Sequence, residues 1–334
     1  MSDLRVEALR NGLVESVHRV SVAAVDAGGR LLAQSGDPEL VTFWRSGAKP
    51  FQALPLVRDG AVDALGLSPE ELAVACGSHS SEPVHRAVVA GLLRKIGCGE
   101  ADLVCGPHVP LSAEIAAQVA RDGTAMTPVW SNCSGNHAGM LALARFHHWP
   151  LLGYHRGDHP VQHRLLDEVA EWTGVERRSI GLGVDGCGTV AYALPLSAMA
   201  LAYARFGAAG EPLAGWLRGA MVEHPALVAG VGRLCTLLME TLPGRVVAKV
   251  GAAGIYCCTL PQLGWGIALK IHDGDGRASA AALVAVIQQV MRYNEGGEAN
   301  LPDPVLAYAE PPISNTRGVA VGVLKAVGSL RFLV

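Results

Sequence analysis

The sequence predicts an α+β fold in which one antiparallel sheet is built from both chain termini and a helical lobe is inserted between them. Three observations point there. β-branched apolar runs occur near the start and again after residue 244, helix-spaced apolar residues fill the stretch from about 46 to 240, and no linker-like composition separates them. With 334 residues, 50% of them hydrophobic and 17% charged, the chain can bury a large core under little charged surface. The expectation is a single catalytic domain over 1–334, with a sheet lobe at approximately 1–40 and 244–334 and a helical lobe at approximately 46–240.

The elements follow in chain order. Two apolar runs between residues 17 and 35 flank Asp26-Ala27-Gly28-Gly29, which is a hairpin pattern. Ser68-Pro69-Glu70-Glu71 is a capping box with proline at the first helical position, and Ser81-Glu82-Pro83 opens a helix that Gly97 ends. Helical spacing recurs at 112–121, 136–148, 161–172, 196–206 and 212–222, divided by Gly, Pro or Asp. The uncharged stretch from Gly186 to Ala204 approaches membrane-spanning length, but Pro195 splits it, so it reads as strand, turn and helix. After Pro243-Gly244 come three short strands, RVVAKV, GIYCCTL and WGIALKI, then a helix at 277–293 and a last strand, GVAVGVLKAV. The active site of such a fold is expected in the cleft between sheet and helices.

Charge narrows the class of partner. The 27 basic and 30 acidic residues nearly cancel and form no run, which argues against nucleic acid or an anionic membrane and for a small neutral or zwitterionic ligand. Asp3, Arg5, Glu7 and Arg10 stand where a signal peptide needs an apolar stretch, and the eight cysteines form no CxxC pair. A cytoplasmic protein with reduced thiols is the expectation.

Several polar clusters interrupt the apolar pattern. Ser46 and Lys49, at the start of a helix, stand one turn apart, either as the Ser-x-x-Lys arrangement in which a lysine takes the serine proton, or as an N-cap serine and a surface lysine on the first turn. Such a base needs burial and a positive neighbour, for which Arg45 is placed. Lys249-Val250-Gly251, on a predicted strand, is similar to the Lys-Thr-Gly edge-strand motif of serine β-lactamase-like enzymes. The segment Cys76–Glu82 reads either as a site loop or as a helix cap with Ser80 or Ser81 as the capping residue. The loops Ser131–His137 and Gly183–Gly188 are polar and glycine-rich, and Cys133, Cys187 and His137 form a set able to hold a soft divalent metal, although two thiols 54 positions apart are no zinc motif.

Together these motifs are familiar. Arg45-Ser46-Gly47-Ala48-Lys49-Pro50, Cys76-Gly77-Ser78-His79-Ser80-Ser81-Glu82, Asn132-Cys133-Ser134-Gly135-Asn136-His137-Ala138-Gly139-Met140, Asp185-Gly186-Cys187 and Lys249-Val250-Gly251-Ala252 resemble, in order and spacing, the rhizobial-type L-asparaginases. The resemblance implies a serine β-lactamase-like and glutaminase-like fold, hydrolysis of the side-chain amide of L-asparagine, and a homodimer. It implies Ser46 with Lys49 as one nucleophile and base pair, Ser78 with Lys249 as a second, and Cys133 and Cys187 as zinc ligands. Arg45, His137 and Asp185 would bind substrate. The family pattern has lysine as third zinc ligand after Cys-Ser-Gly where this chain has Asn136, so zinc is not expected to be required. Rival readings are a related serine amidohydrolase acting on glutamine or β-lactams, and a non-catalytic thiol protein that binds metal or senses.

Overall fold

Strand Arg5–Arg10 pairs antiparallel with Ala320–Val327, so the two ends of the chain meet in one sheet. The computed structural model describes residues 2–297 and 299–333, which divide into two compact units. The sheet unit holds the described residues up to Gly47, Leu194–Ala208, and those from Thr241 onward; the helical unit holds Ala48–Ala193 and Ala209–Glu240.

The sheet runs in the order Pro312–Ser314, Ala320–Val327, Arg5–Arg10, Leu13–Val25, Trp265–Ile271, Ile255–Leu260, Val247–Val250, with Leu31–Ser35 joined to Leu13–Val25 and Arg331–Phe332 to Leu31–Ser35. Strand Leu13–Val25 organises it. Its first half pairs with Arg5–Arg10, and its second half lies between Leu31–Ser35 and Trp265–Ile271. Residues 20–25 and all six of Ile255–Leu260 are buried although successive side chains point to opposite faces, so these strands are covered on both sides. Helices Leu196–Gly207 and Gly276–Glu295 pack against them.

Small residues set how closely Leu196–Gly207 approaches the sheet. A Cβ on Gly266 would lie 2.1 Å from the Ala200 carbonyl oxygen, and one on Gly207 would lie 1.9 Å from Thr259 Oγ1. No side chain fits at either place.

The helical unit carries the predicted start signals. Ser68 accepts from the Glu71 N–H while Glu71 reaches back to the Ser68 N–H at 2.8 Å, completing the capping box. Helix Pro83–Lys95 is capped by Glu82, not by Ser80 or Ser81 as one sequence reading has it. Those two serines are buried and donate instead to the carbonyls of Ala229 and Trp130. Helix Ser134–Phe146 is the unit's core, with residues 134–144 all buried. Gly135 and Gly139, one turn apart, let it lie against Pro69–Ala75: a Cβ on Gly135 would come within 2.3 Å of the Val74 carbonyl oxygen.

The differences from the sequence reading are local. Helix Leu196–Gly207 belongs to the sheet unit, whereas its sequence position suggests the helical lobe. Strand Arg5–Arg10 is not among the expected elements; Val6 and Ala8 alternate inward along it. A further strand, Arg331–Phe332, follows the expected last one. Among the described residues no helix is long and apolar enough to cross a membrane, and all eight cysteines are free thiols.

Close approach makes a stability prediction. Gly266→Ala should lower the free energy of unfolding by about 3 kcal/mol through overpacking. Gly219→Ala, in helix Pro212–Glu223 with open space around it, should raise it by about 1 kcal/mol. Urea denaturation of the two variants checks this, and equal midpoints would contradict it.

Candidate active site

Lys49 opens helix Lys49–Arg58, followed by Pro50, whose missing N–H costs nothing in a first helical turn. Its side chain is 3% exposed. An amine so buried needs polar partners, and Nζ has three: the Gly77 carbonyl oxygen at 2.6 Å, Ser78 Oγ at 3.1 Å and Cys133 Sγ at 3.2 Å. The carbonyl can only accept. The hydroxyl and the thiol can exchange a proton with the amine.

The segment carrying Ser78 is held on both sides. Ser78 N–H donates to the Val228 carbonyl and His79 N–H to the Asn132 carbonyl. Gly77 is required there because a Cβ would meet the carbonyl oxygens of Leu227 and Val74 at 2.8 and 2.9 Å. The Arg233 guanidinium holds the carbonyls of Ser78 and Ala229. Next along, His79 Nδ1 accepts from the Ser81 N–H, so Nε2 carries the hydrogen and donates to Ser134 Oγ at 2.9 Å. Ser134 in turn donates to the Val129 carbonyl. This chain ties the Ser78 segment to the start of helix Ser134–Phe146.

Cys133 stands at the N-cap position of that helix without a side-chain capping bond, and Cys187 sits in the turn between strands Gly181–Val184 and Val190–Pro195. Cys133 Sγ also lies 3.3 Å from Asn132 Oδ1. The neighbouring Cys187 thiol and the positive charge of Lys49 overcome burial and bring Cys133 down to about 5, while Cys187 is pushed up by Cys133 and by burial. Asp185 lies close enough for its charge to act on Cys133 and His137, and its Oδ1 accepts from the Gly186 N–H at 2.6 Å.

His137 is fully buried, with Nδ1 2.6 Å from Tyr154 Oη. Burial and then Lys49 keep its ring neutral, lowering it to about 3. Asn136, 2% exposed, donates from Nδ2 to the Ala75 carbonyl at 3.2 Å. A carbonyl accepts only, so this contact fixes the amide's orientation and leaves Oδ1 without a partner.

As donors for zinc, these groups fall short. Two sulfurs and a carboxamide oxygen make an incomplete and chemically mixed set for an ion that takes four ligands. The residues present do not fit a zinc centre of the expected kind.

The structure thus brings together Lys49, Ser78, Cys133, His137, Asp185 and Cys187 in the helical unit. It joins Lys49 to Ser78, one member of each expected pair. The other expected residues lie in the sheet unit. Arg45 and Ser46 belong to the 3₁₀ turn Arg45–Ala48, where Arg45 takes the uncommon left-handed φ of 53°. Lys249, fully buried on strand Val247–Val250 at the sheet edge, donates to the Val250 carbonyl at 2.9 Å. Tyr154 was missed by sequence reasoning, because one tyrosine in a turn-rich loop carries no motif.

The L-asparaginase II family profile matches residues 6–326. The chain belongs to the L-asparaginase II family. It is an asparaginase-type amidohydrolase, acting on a small-molecule amide. A comparison with curated proteins returns no match. Among solved structures it is similar to a β-lactamase from Mycobacterium bovis, at 15% identity over 78% of this chain and 89% of that one, TM-score 0.34. It is also similar to a mutant simvastatin synthase from Aspergillus terreus, at 10% identity over 78% and 87%, TM-score 0.36. A third is the octameric penicillin-binding protein homologue from Pyrococcus abyssi, at 12% identity over 81% and 73%, TM-score 0.35.

The thiol pair of this amidohydrolase gives a spectroscopic prediction. Thiolate absorbance in the ultraviolet, taken as the difference between the protein and Cys133→Ser, should persist on acidification and disappear near pH 5. In a Cys187→Ala background, which removes the donor, the loss should come at higher pH. A transition near 9, the ordinary thiol value, would contradict the contact.

Proposed function

We propose that this amidohydrolase hydrolyses L-asparagine to L-aspartate and ammonia through an ester on Ser46. The observation that carries the reading is the buried Lys49 amine in hydrogen-bond contact with Ser78 Oγ. Lys49 first yields a proton to the Cys133 thiolate beside it; Ser46 Oγ then attacks the side-chain amide carbon and passes its proton to the neutral amine. Lys49 returns it through Ser78 to the departing nitrogen, and ammonia leaves as the C–N bond breaks. Water then attacks the β-aspartyl ester, gives up its proton along the same route, and restores Ser46. Lys249 supplies positive charge to the second serine, Arg45 takes the substrate α-carboxylate and Asp185 the α-ammonium. The homodimer implied by the sequence resemblance is part of this reading.

No step needs a metal. Zinc, if supplied, is held weakly, because Asn136 offers a hard, weakly donating oxygen beside two sulfurs. Asn136→Lys should strengthen zinc binding in competition with a chromogenic chelator. Tight stoichiometric zinc in the unmodified protein, or no gain in the variant, contradicts this view of the site.

Ammonia release, assayed with L-asparagine and L-glutamine, tests the function. Ser46→Ala and Lys49→Met should each lower kcat on the order of 10⁴-fold or more with the fold intact, since groups that act as a unit fail together. Near-normal turnover in either variant would sink the assignment. Preference for glutamine, or stable acylation by penicillin seen as a mass shift, would favour a related serine amidohydrolase instead.

A further inference from the structure

Tyr154 is fully buried and its hydroxyl touches two polar atoms, the Val104 N–H at 3.2 Å and His137 Nδ1 at 2.6 Å. The amide can only donate, so it occupies a lone pair of the hydroxyl oxygen. Burial raises the hold of Tyr154 on its own proton, which therefore stays in place. That proton has one acceptor within reach, His137 Nδ1, and turned elsewhere it would be a buried donor without a partner. Nδ1 is thus the bare nitrogen of the neutral ring, and Nε2 bears the hydrogen. Yet Nε2 is buried and makes no hydrogen bond in the ligand-free protein. An aligned donor left unsatisfied in this way awaits an acceptor from outside the chain.

The surroundings say which acceptor. Besides Lys49 and His155, the charge that acts on the His137 ring is that of Asp185, the group assigned above to the substrate α-ammonium. In an amino acid the ammonium and the carboxylate leave the same carbon, and of the two only the carboxylate accepts, so it is the substrate group that can satisfy the His137 N–H.

We propose that Tyr154 is a positioning residue that locks His137 in its Nε2–H tautomer, and that this N–H donates to the α-carboxylate of the amino-acid substrate. The carboxylate half of the proposal rests on the asparagine reading; the tautomer half does not. The bond is made to the bound substrate and kept throughout the reaction, so its loss raises KM and leaves kcat nearly unchanged.

Nitrogen-15 NMR of the ligand-free, histidine-labelled protein should show His137 with hydrogen on Nε2 alone. Glutamine can place an amide N–H near the Nε2 position, whereas asparagine reaches only the Nδ1 position. His137→Asn should therefore raise KM for L-asparagine roughly tenfold, the loss of about one hydrogen bond, and His137→Gln should stay within about threefold of the unmodified protein. Tyr154→Phe should raise KM by roughly three- to tenfold when residue 137 is histidine and should add nothing when it is glutamine, which has no tautomer to lock. A His137 proton on Nδ1 overturns the lock. Equal penalties for Tyr154→Phe in both backgrounds, or a loss confined to kcat, overturn the positioning role. Absence of any ammonia release from L-asparagine removes the carboxylate partner while the NMR result still decides the tautomer.

Discussion

Everything at the site depends on one constraint: the Lys49 amine lies in the interior and must be satisfied there. Removing such a group from water costs several kcal/mol unless hydrogen bonds replace hydration. Gly77, Ser78 and Cys133 supply those bonds, and each partner is itself fixed by a packing requirement. Gly77 has no room for a side chain, Ser78 is held by Val228, and Cys133 is held by the helix that Gly135 seats against Val74. The geometry of this buried cluster is thus a consequence of how tightly small residues allow two helices and one extended segment to converge.

The same constraint orders the neighbouring polar groups. With Lys49 at its side, the Cys133 thiol is held well below its ordinary range and its neighbour Cys187 above it. His137 stays neutral in this field and takes its tautomer from Tyr154. A buried cluster of this kind keeps its groups oriented before substrate arrives, which is the condition for stabilising charge that develops during acyl transfer.

Much of this was legible in the sequence. The capping box at Ser68, the hairpin around Asp26–Gly29 and the three strands after Gly244 depend on local chemistry, and each forms where its pattern stands. Lys249 in an apolar strand was conspicuous for the same reason. What was not legible depends on contacts between distant segments. The bond from Lys49 to Ser78 crosses 29 positions, and that from Tyr154 to His137 crosses 17. The allegiance of helix Leu196–Gly207 to the sheet is set by the gaps at Gly266 and Gly207, which no periodicity reveals. Asn136 was visible as a departure from a family pattern, but its amide orientation follows only from the Ala75 carbonyl.

Acyl transfer from a serine is the central claim, and the intermediate itself is the most direct witness. Rapid acid quench of the protein turning over L-asparagine, followed by proteolysis and mass spectrometry, should find a β-aspartyl ester on the peptide containing Ser46. That ester should appear before free aspartate does. Aspartate produced at full rate with no adduct on any peptide, or an adduct carried by Ser78 or Cys133 instead, would contradict Ser46 as the nucleophile.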